Sequence, residues 1–61
     1  MTGEEIRRFR WENNINQTEF AKMAHIGIVT LARAESDNMS GKTQAKIEKT
    51  VKEYNDNVQM S

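Results

Sequence analysis

The fold is decided by residues 15–36, INQTEFAKMAHIGIVTLARAES, which hold two helix starts a short distance apart. Asn16 with Glu19 three residues later has the form of an N-cap and its reciprocal partner, an arrangement that satisfies backbone N–H groups left over at a helix start. Ile15 just before the cap and Phe20 five residues on make a hydrophobic staple that sets the helix direction. A helix over 17–24 follows. Gly27 supplies a second cap, Ile26 and Leu31 a second staple, and a helix over 28–35 results. The intervening turn has about three residues, the length that lets two helices cross at a steep angle. His25 stands in it where the chain needs positive φ, a conformation that glycine adopts freely and histidine at some strain. Ala21, five residues before Ile26, is small enough to let the helices approach. Ile26, Leu31 and Ala34 form an inner stripe, and Ile28, Val29, Ala32 and Arg33 an outer one.

Outward from this stretch the pattern stays helical. Apolar residues recur at steps of three and four, proline is absent and glycine occurs three times, which predicts an all-α chain. Thr2 and Glu5 make a capping box for a helix over 3–13, with Ile6, Phe9 and Arg10 inward and Asn13 and Asn14 as its stop. A fourth helix starts at Ser40 or Thr43 and covers about 41–54, because Ile47, Val51, Tyr54 and Val58 follow one another at helical steps. The tail 55–61 is expected to fray. No repeat, low-complexity segment or linker divides the chain, so 1–61 reads as one domain.

Composition narrows the function classes. Nine Lys and Arg balance nine Asp and Glu over 61 residues, so contact with nucleic acid would require the charges to be sorted by face. With no cysteine and a single histidine, neither disulfides nor a metal site is expected, and no cofactor is implied. No apolar run approaches the roughly 18 residues of a membrane span, and the start MTGEEIRRFR has no signal-peptide core, so no membrane partner and a cytoplasmic location are expected. There is no glycine-rich phosphate loop and no nucleophile–base pair, so an enzyme is not expected.

Two short helices joined by a tight turn are the parts of a helix-turn-helix, whose second helix can lie in the major groove of DNA. Residues 15–36 resemble that motif in the Cro/CI-type, lambda-repressor-like (XRE-type) DNA-binding domains, and the resemblance extends over about 4–52. It implies a compact four-helix fold and a double-stranded DNA partner. Arg10 and Glu35 match the family's structural ion pair, and Gln17 matches a glutamine that contacts the DNA backbone. Thr18 and Lys22 on helix 2 are further phosphate candidates. So are Asn38, Lys42 and Thr43 in the loop NMSGKT and its flanks. Base reading falls to Ile28, Val29, Thr30, Ala32 and Arg33. The function implied is a transcriptional regulator, either a repressor or another regulator of a phage or mobile element. A homodimer is expected, reading half-sites about 34 Å apart.

Several positions depart from the family pattern. Gln44 and Glu48 stand where apolar residues usually face the core, Ala34 is small, and the chain stops where a fifth helix often packs. Trp11 or Met23 leaning inward, or a second subunit, would fill the space. Trp11 lies off the Ile6–Phe9 stripe, as a core flank or an interface anchor. The series Lys42, Lys46, Lys49, Lys52 reads mainly as a solvated face. Ile28, Val29 and Ala32 cannot hydrogen-bond to bases, but they suit thymine methyls, with Arg33 as polar reader. The alternative is an apolar face for a partner regulator protein. A fragment of a longer repressor is a third reading.

Overall fold

Every connection between helices in this protein is a tight turn built around one left-handed residue. In the computed structural model, which describes residues 1–60, the last three as backbone, the helices are α1 (Gly3–Glu12), α2 (Gln17–Met23), α3 (Ile28–Glu35) and α4 (Gly41–Met60). Asn14, His25 and Asp37 have φ of 56°, 57° and 62°. Each sits just past a helix end, and the hydrogen bonds repeat. Ile15 N donates to Arg10 O, Ile26 N to Ala21 O and Asn38 N to Arg33 O; Asn14 N, His25 N and Asp37 N donate to Trp11 O, Lys22 O and Ala34 O. This double closure is the Schellman motif, here with no glycine at the left-handed position. It places Asn13 and Ala24 as caps, so α1 and α2 end one residue short of the helices expected over 3–13 and 17–24.

Helix starts follow their local signals. Thr2 Oγ1 accepts from Glu5 N at 3.2 Å, and Thr2 N donates to Glu5 Oε1 at 2.9 Å, closing the capping box. Asn16 Oδ1 accepts from Glu19 N at 2.8 Å. There the glutamate meets the cap's side chain, at 3.5 Å from Asn16 Nδ2. Ser40, rather than Thr43, caps α4, its Oγ accepting from Thr43 N at 3.3 Å. Residues 55–60 are helical rather than frayed as expected. After Gly41 no glycine or proline interrupts the chain, so each residue fixed adds a backbone hydrogen bond without a new nucleation cost, and α4 runs to Met60. At 1.5 Å per residue its length is roughly 30 Å, close to the 33 Å long axis of the molecule. Ser61 and the side chain of Val58 lie outside the described residues.

α3 packs against each of the other helices. Around it the core consists of Ile6, Phe9, Ile15, Phe20, Ala21, Ala24, Leu31, Ala34 and Ile47, flanked by Met1, Ile26, Met39, Val51 and Tyr54. Phe9 links its halves, meeting Phe20 and Tyr54 edge-on at centroid distances of 5.8 and 5.4 Å. Ala21, 4% exposed, leaves the space that the α2–α3 crossing uses.

The gap anticipated beside Ala34 is closed within one chain, and by neither of the side chains expected to fill it. Trp11 is 69% exposed, so it is not a core flank, and Met23 is also on the surface. α1 instead starts hard against the end of α3. A β-carbon on Gly3 would strike the backbone carbonyls of Glu35 and Ala34, so only glycine permits this approach. Gly3 N donates to Asp37 Oδ1 at 2.6 Å, fastening the start of α1 to the turn after α3. Gln44 and Glu48 form a polar flank: Gln44 Nε2 donates to Glu48 Oε2 at 2.9 Å, and the Met1 ammonium lies 3.0 Å from the same oxygen. Among the described residues no helix is long and apolar enough to cross a membrane.

Candidate functional site

α3 is divided sharply along its length. Leu31, Ala34 and Glu35 are buried, while Ile28 and Val29 are 47% and 62% exposed and Ala32 and Arg33 lie on the surface. Residues four apart on a helix are neighbours, so Ile28 lies over Ala32 and Val29 over Arg33, giving two adjacent exposed rows. Thr30 is half-buried, so it is less available for base contact than its place among the candidates required. Its hydroxyl lies near Gly27, where a β-carbon would be 3.9 Å away.

The only carboxylate of α3 faces inward. Glu35 Oε2 accepts from Arg10 Nε at 2.6 Å and Oε1 from Arg10 Nη2 at 2.9 Å, with the side chains 7% and 10% exposed. Arg10 Nη1 also donates to Ile15 O at 3.4 Å. Two parallel N–H···O bonds are the strong form of this pairing, and none of the buried polar side-chain atoms among the described residues lacks a partner. The pair joins α1 to α3 as expected.

Gln17 belongs to this network rather than to an open face. It is half-buried, and its Nε2 donates to Glu35 Oε1 at 3.2 Å, because the first turn of α2 lies over the ion pair. That contact spans 18 positions and could not be read from local sequence. Thr18 and Lys22 are exposed on α2. Asn38 is exposed and is brought beside α3 by its bond to Arg33 O. Lys42 is exposed in the first turn of α4. Thr43 is half-buried, its N–H donating to Ser40 Oγ and its own Oγ1 accepting from that hydroxyl, so its side chain is engaged within the cap.

Charge is sorted across these elements. The exposed residues of α3 carry Arg33 and no acid, and the first turns of α3 and α4 contain no acidic residue. Asp37, the one acid between them, faces Gly3 N. The remaining acids lie on α1, at the start of α2 and further along α4. Two hollows also mark the surface of the described residues. One lies between the end of α2 and α4, beside His25, Lys46 and Lys49, and the other beside Trp11 and Asn16. In the first, Lys49 faces Glu53 at 3.9 Å. No protein-family model matches this chain, and neither a curated protein nor a solved structure was found to match it.

Proposed function

We propose that this chain is a sequence-specific, double-stranded DNA-binding regulator of transcription, a Cro/CI-type helix-turn-helix protein acting in the cytoplasm as a homodimer. The observation that carries this reading is the division of α3, whose one acid is neutralised internally by Arg10 while its outer face presents Ile28, Val29, Ala32 and Arg33. A helix with such a face can lie in the major groove, its first turn on base edges, without bringing negative charge to the phosphates. Lys22, Thr18, Asn38 and Lys42 stand on neighbouring elements for phosphate contact. Gln17, its Nε2 engaged by Glu35, retains its carbonyl oxygen and a second N–H. Bound at a promoter, the protein blocks or recruits polymerase by occupancy.

The dimer follows from the half-site logic of such regulators rather than from any deficit in the core, since Ile6, Leu31, Ala34 and Ile47 are fully buried within one chain. Selection from a random duplex library at two salt concentrations tests the function. Enrichment of one sequence, with binding that weakens as salt rises, is the expected result. No enrichment and no salt-dependent binding would overturn it. A second reading draws on the exposure of Ile28 and Val29: the same face would dock a partner regulator protein, as in an antirepressor.

A further inference from the structure

We infer that α3 reads the C5-methyl groups of pyrimidines, and therefore accepts thymine and 5-methylcytosine alike at the same positions. The inference rests on the DNA-binding reading above and names what its apolar turn recognises. Ile28 and Val29 open the helix, at the end that reaches base edges in this docking mode, and both are largely exposed. Neither side chain can donate or accept a hydrogen bond. Ala32 extends the row below Ile28, and half-buried Thr30 supplies the only hydroxyl of the first turn. In the major groove, the apolar group offered by a base edge is the methyl at C5.

Thymine and cytosine differ at the neighbouring exocyclic group, O4 against N4–H₂, which only a hydrogen-bonding side chain distinguishes. Ile28 and Val29 have none to offer, and the one hydroxyl of their turn, on Thr30, is half-buried, so the methyl decides. Arg33, one turn after Val29 in the same row, adds a bidentate donor for guanine O6 and N7. DNA is favoured over an apolar protein surface as occupant by charge. Arg33 shares the exposed face of α3 with the patch, and neither that face nor the first turn of α4, which carries Lys42, holds an acid.

The test uses the duplex enriched by selection, with each thymidine replaced in turn by deoxyuridine, which removes only the methyl, and binding read by fluorescence anisotropy. At contacted positions affinity should fall about fourfold per methyl, the transfer value of one buried carbon. A 5-methylcytosine·guanine pair placed there should bind within about twofold of the thymine·adenine pair, and a plain cytosine·guanine pair about fourfold more weakly. Val29→Ala or Ile28→Ala, both surface changes, should abolish the deoxyuridine effect at one position each. An enriched sequence that binds equally with deoxyuridine throughout would overturn the inference and leave the DNA-binding reading intact. An effect unchanged in both variants would also overturn it, since the methyl would then act through DNA shape. Failure to enrich any sequence removes both.

Discussion

Arg10 and Glu35, 25 positions apart in sequence, are joined by two hydrogen bonds of 2.6 and 2.9 Å, and Gln17 closes the carboxylate's remaining side at 3.2 Å. Three helices therefore meet on one carboxylate. Removing one member of a buried pair strands the other, so Arg10→Met should destabilise by about 3–5 kcal/mol. A chain of 61 residues has a total stability of about 3–9 kcal/mol, so much of the variant should be unfolded. Arg10→Met combined with Glu35→Leu should recover a large part of the loss, because no charge is left buried. Gln17→Ala should cost less, about 1.5–3 kcal/mol, the scale of one hydrogen bond to a charged group. Urea denaturation of the four proteins tests the ordering. Equal losses in the single and double variants would show that the pair is not what holds the helices.

The three Schellman turns make unequal demands on their left-handed residues. Histidine is poorly suited to φ of 57°, and His25→Gly should stabilise by about 1 kcal/mol after allowing for the extra flexibility of glycine in the unfolded chain. Asn14→Gly should gain less, about 0.5 kcal/mol, since asparagine tolerates this conformation. Asp37→Gly should go the other way. Its carboxylate accepts from Gly3 N at 2.6 Å, and losing a charge-assisted bond of that kind outweighs the relief of strain by about 1 kcal/mol. Thermal midpoints of the three variants should therefore fall on both sides of the parent.

Local chemistry made the helix starts legible and long-range contact did not. Thr2/Glu5, Ile15/Phe20 and Ile26/Leu31 carry their instructions within five residues, and all three helix starts lie where those pairs place them. The positive φ at His25 was readable for the same reason, because the turn around it has a fixed length. Asp37 was not, since its role depends on Gly3 arriving from the far end of the chain. In sequence Gln17 matches only a DNA-backbone contact, because nothing local reveals that Glu35 lies beside it. Gln44, Glu48 and the small Ala34 point to an unfilled core, with Trp11 or Met23 as candidate fillers, and both of these lie on the surface. Yet Ala34 is fully buried within one chain, and α1 starts close against the end of α3 because Gly3 has no side chain, an approach that gives no pattern in sequence.

Gly3 and Gly41 both open helices, yet substitution should have opposite effects. An alanine at Gly3 must displace the carbonyls of Glu35 and Ala34, which are backbone atoms held in the last turn of α3. Overpacking of this kind costs about 1–3 kcal/mol. Around Gly41 there is open space within 4 Å, so Gly41→Ala should stabilise by about 0.5 kcal/mol through helix propensity and reduced freedom of the unfolded chain. Matched denaturation curves suffice. A neutral Gly3→Ala would mean that α1 and α3 are not in such close contact.

Acid should weaken the start of α1. The backbone N–H of Thr2, and then its side chain, hold the Glu5 carboxyl below the ordinary value of 4.5. A carboxyl whose pKa is lowered by folding stabilises fully above its unfolded value, and that contribution disappears as pH falls through the lower folded value. Glu5→Gln keeps a side-chain acceptor without the titration. The parent should therefore be more stable than this variant at neutral pH, with the difference vanishing as pH drops below 4.5 and through the folded-state value. Glu5 is fully exposed, so the effect is small and should be screened by salt. Denaturation midpoints measured across that pH range provide the check, and a constant difference would show that the charge is irrelevant.

Arg33 and Lys42 stand on neighbouring helices, and the proposed function gives them different tasks. Arg33 shares the exposed row of α3 with Val29, so under the proposed function it takes a base edge, and Lys42, exposed in the first turn of α4, takes a phosphate. Arg33→Ala should lower affinity for the enriched duplex and flatten its preference over point-mutated competitors, a loss of about 1–3 kcal/mol at one base pair. Lys42→Ala should weaken all duplexes alike and reduce the dependence of log affinity on log salt by about one unit. Both residues are exposed, so neither change should alter stability appreciably, and reduced binding would report the interface itself. Competition binding at several salt concentrations separates the two effects. Two silent substitutions would move the interface away from this face of α3 and return Ile28 and Val29 to the role of a protein contact.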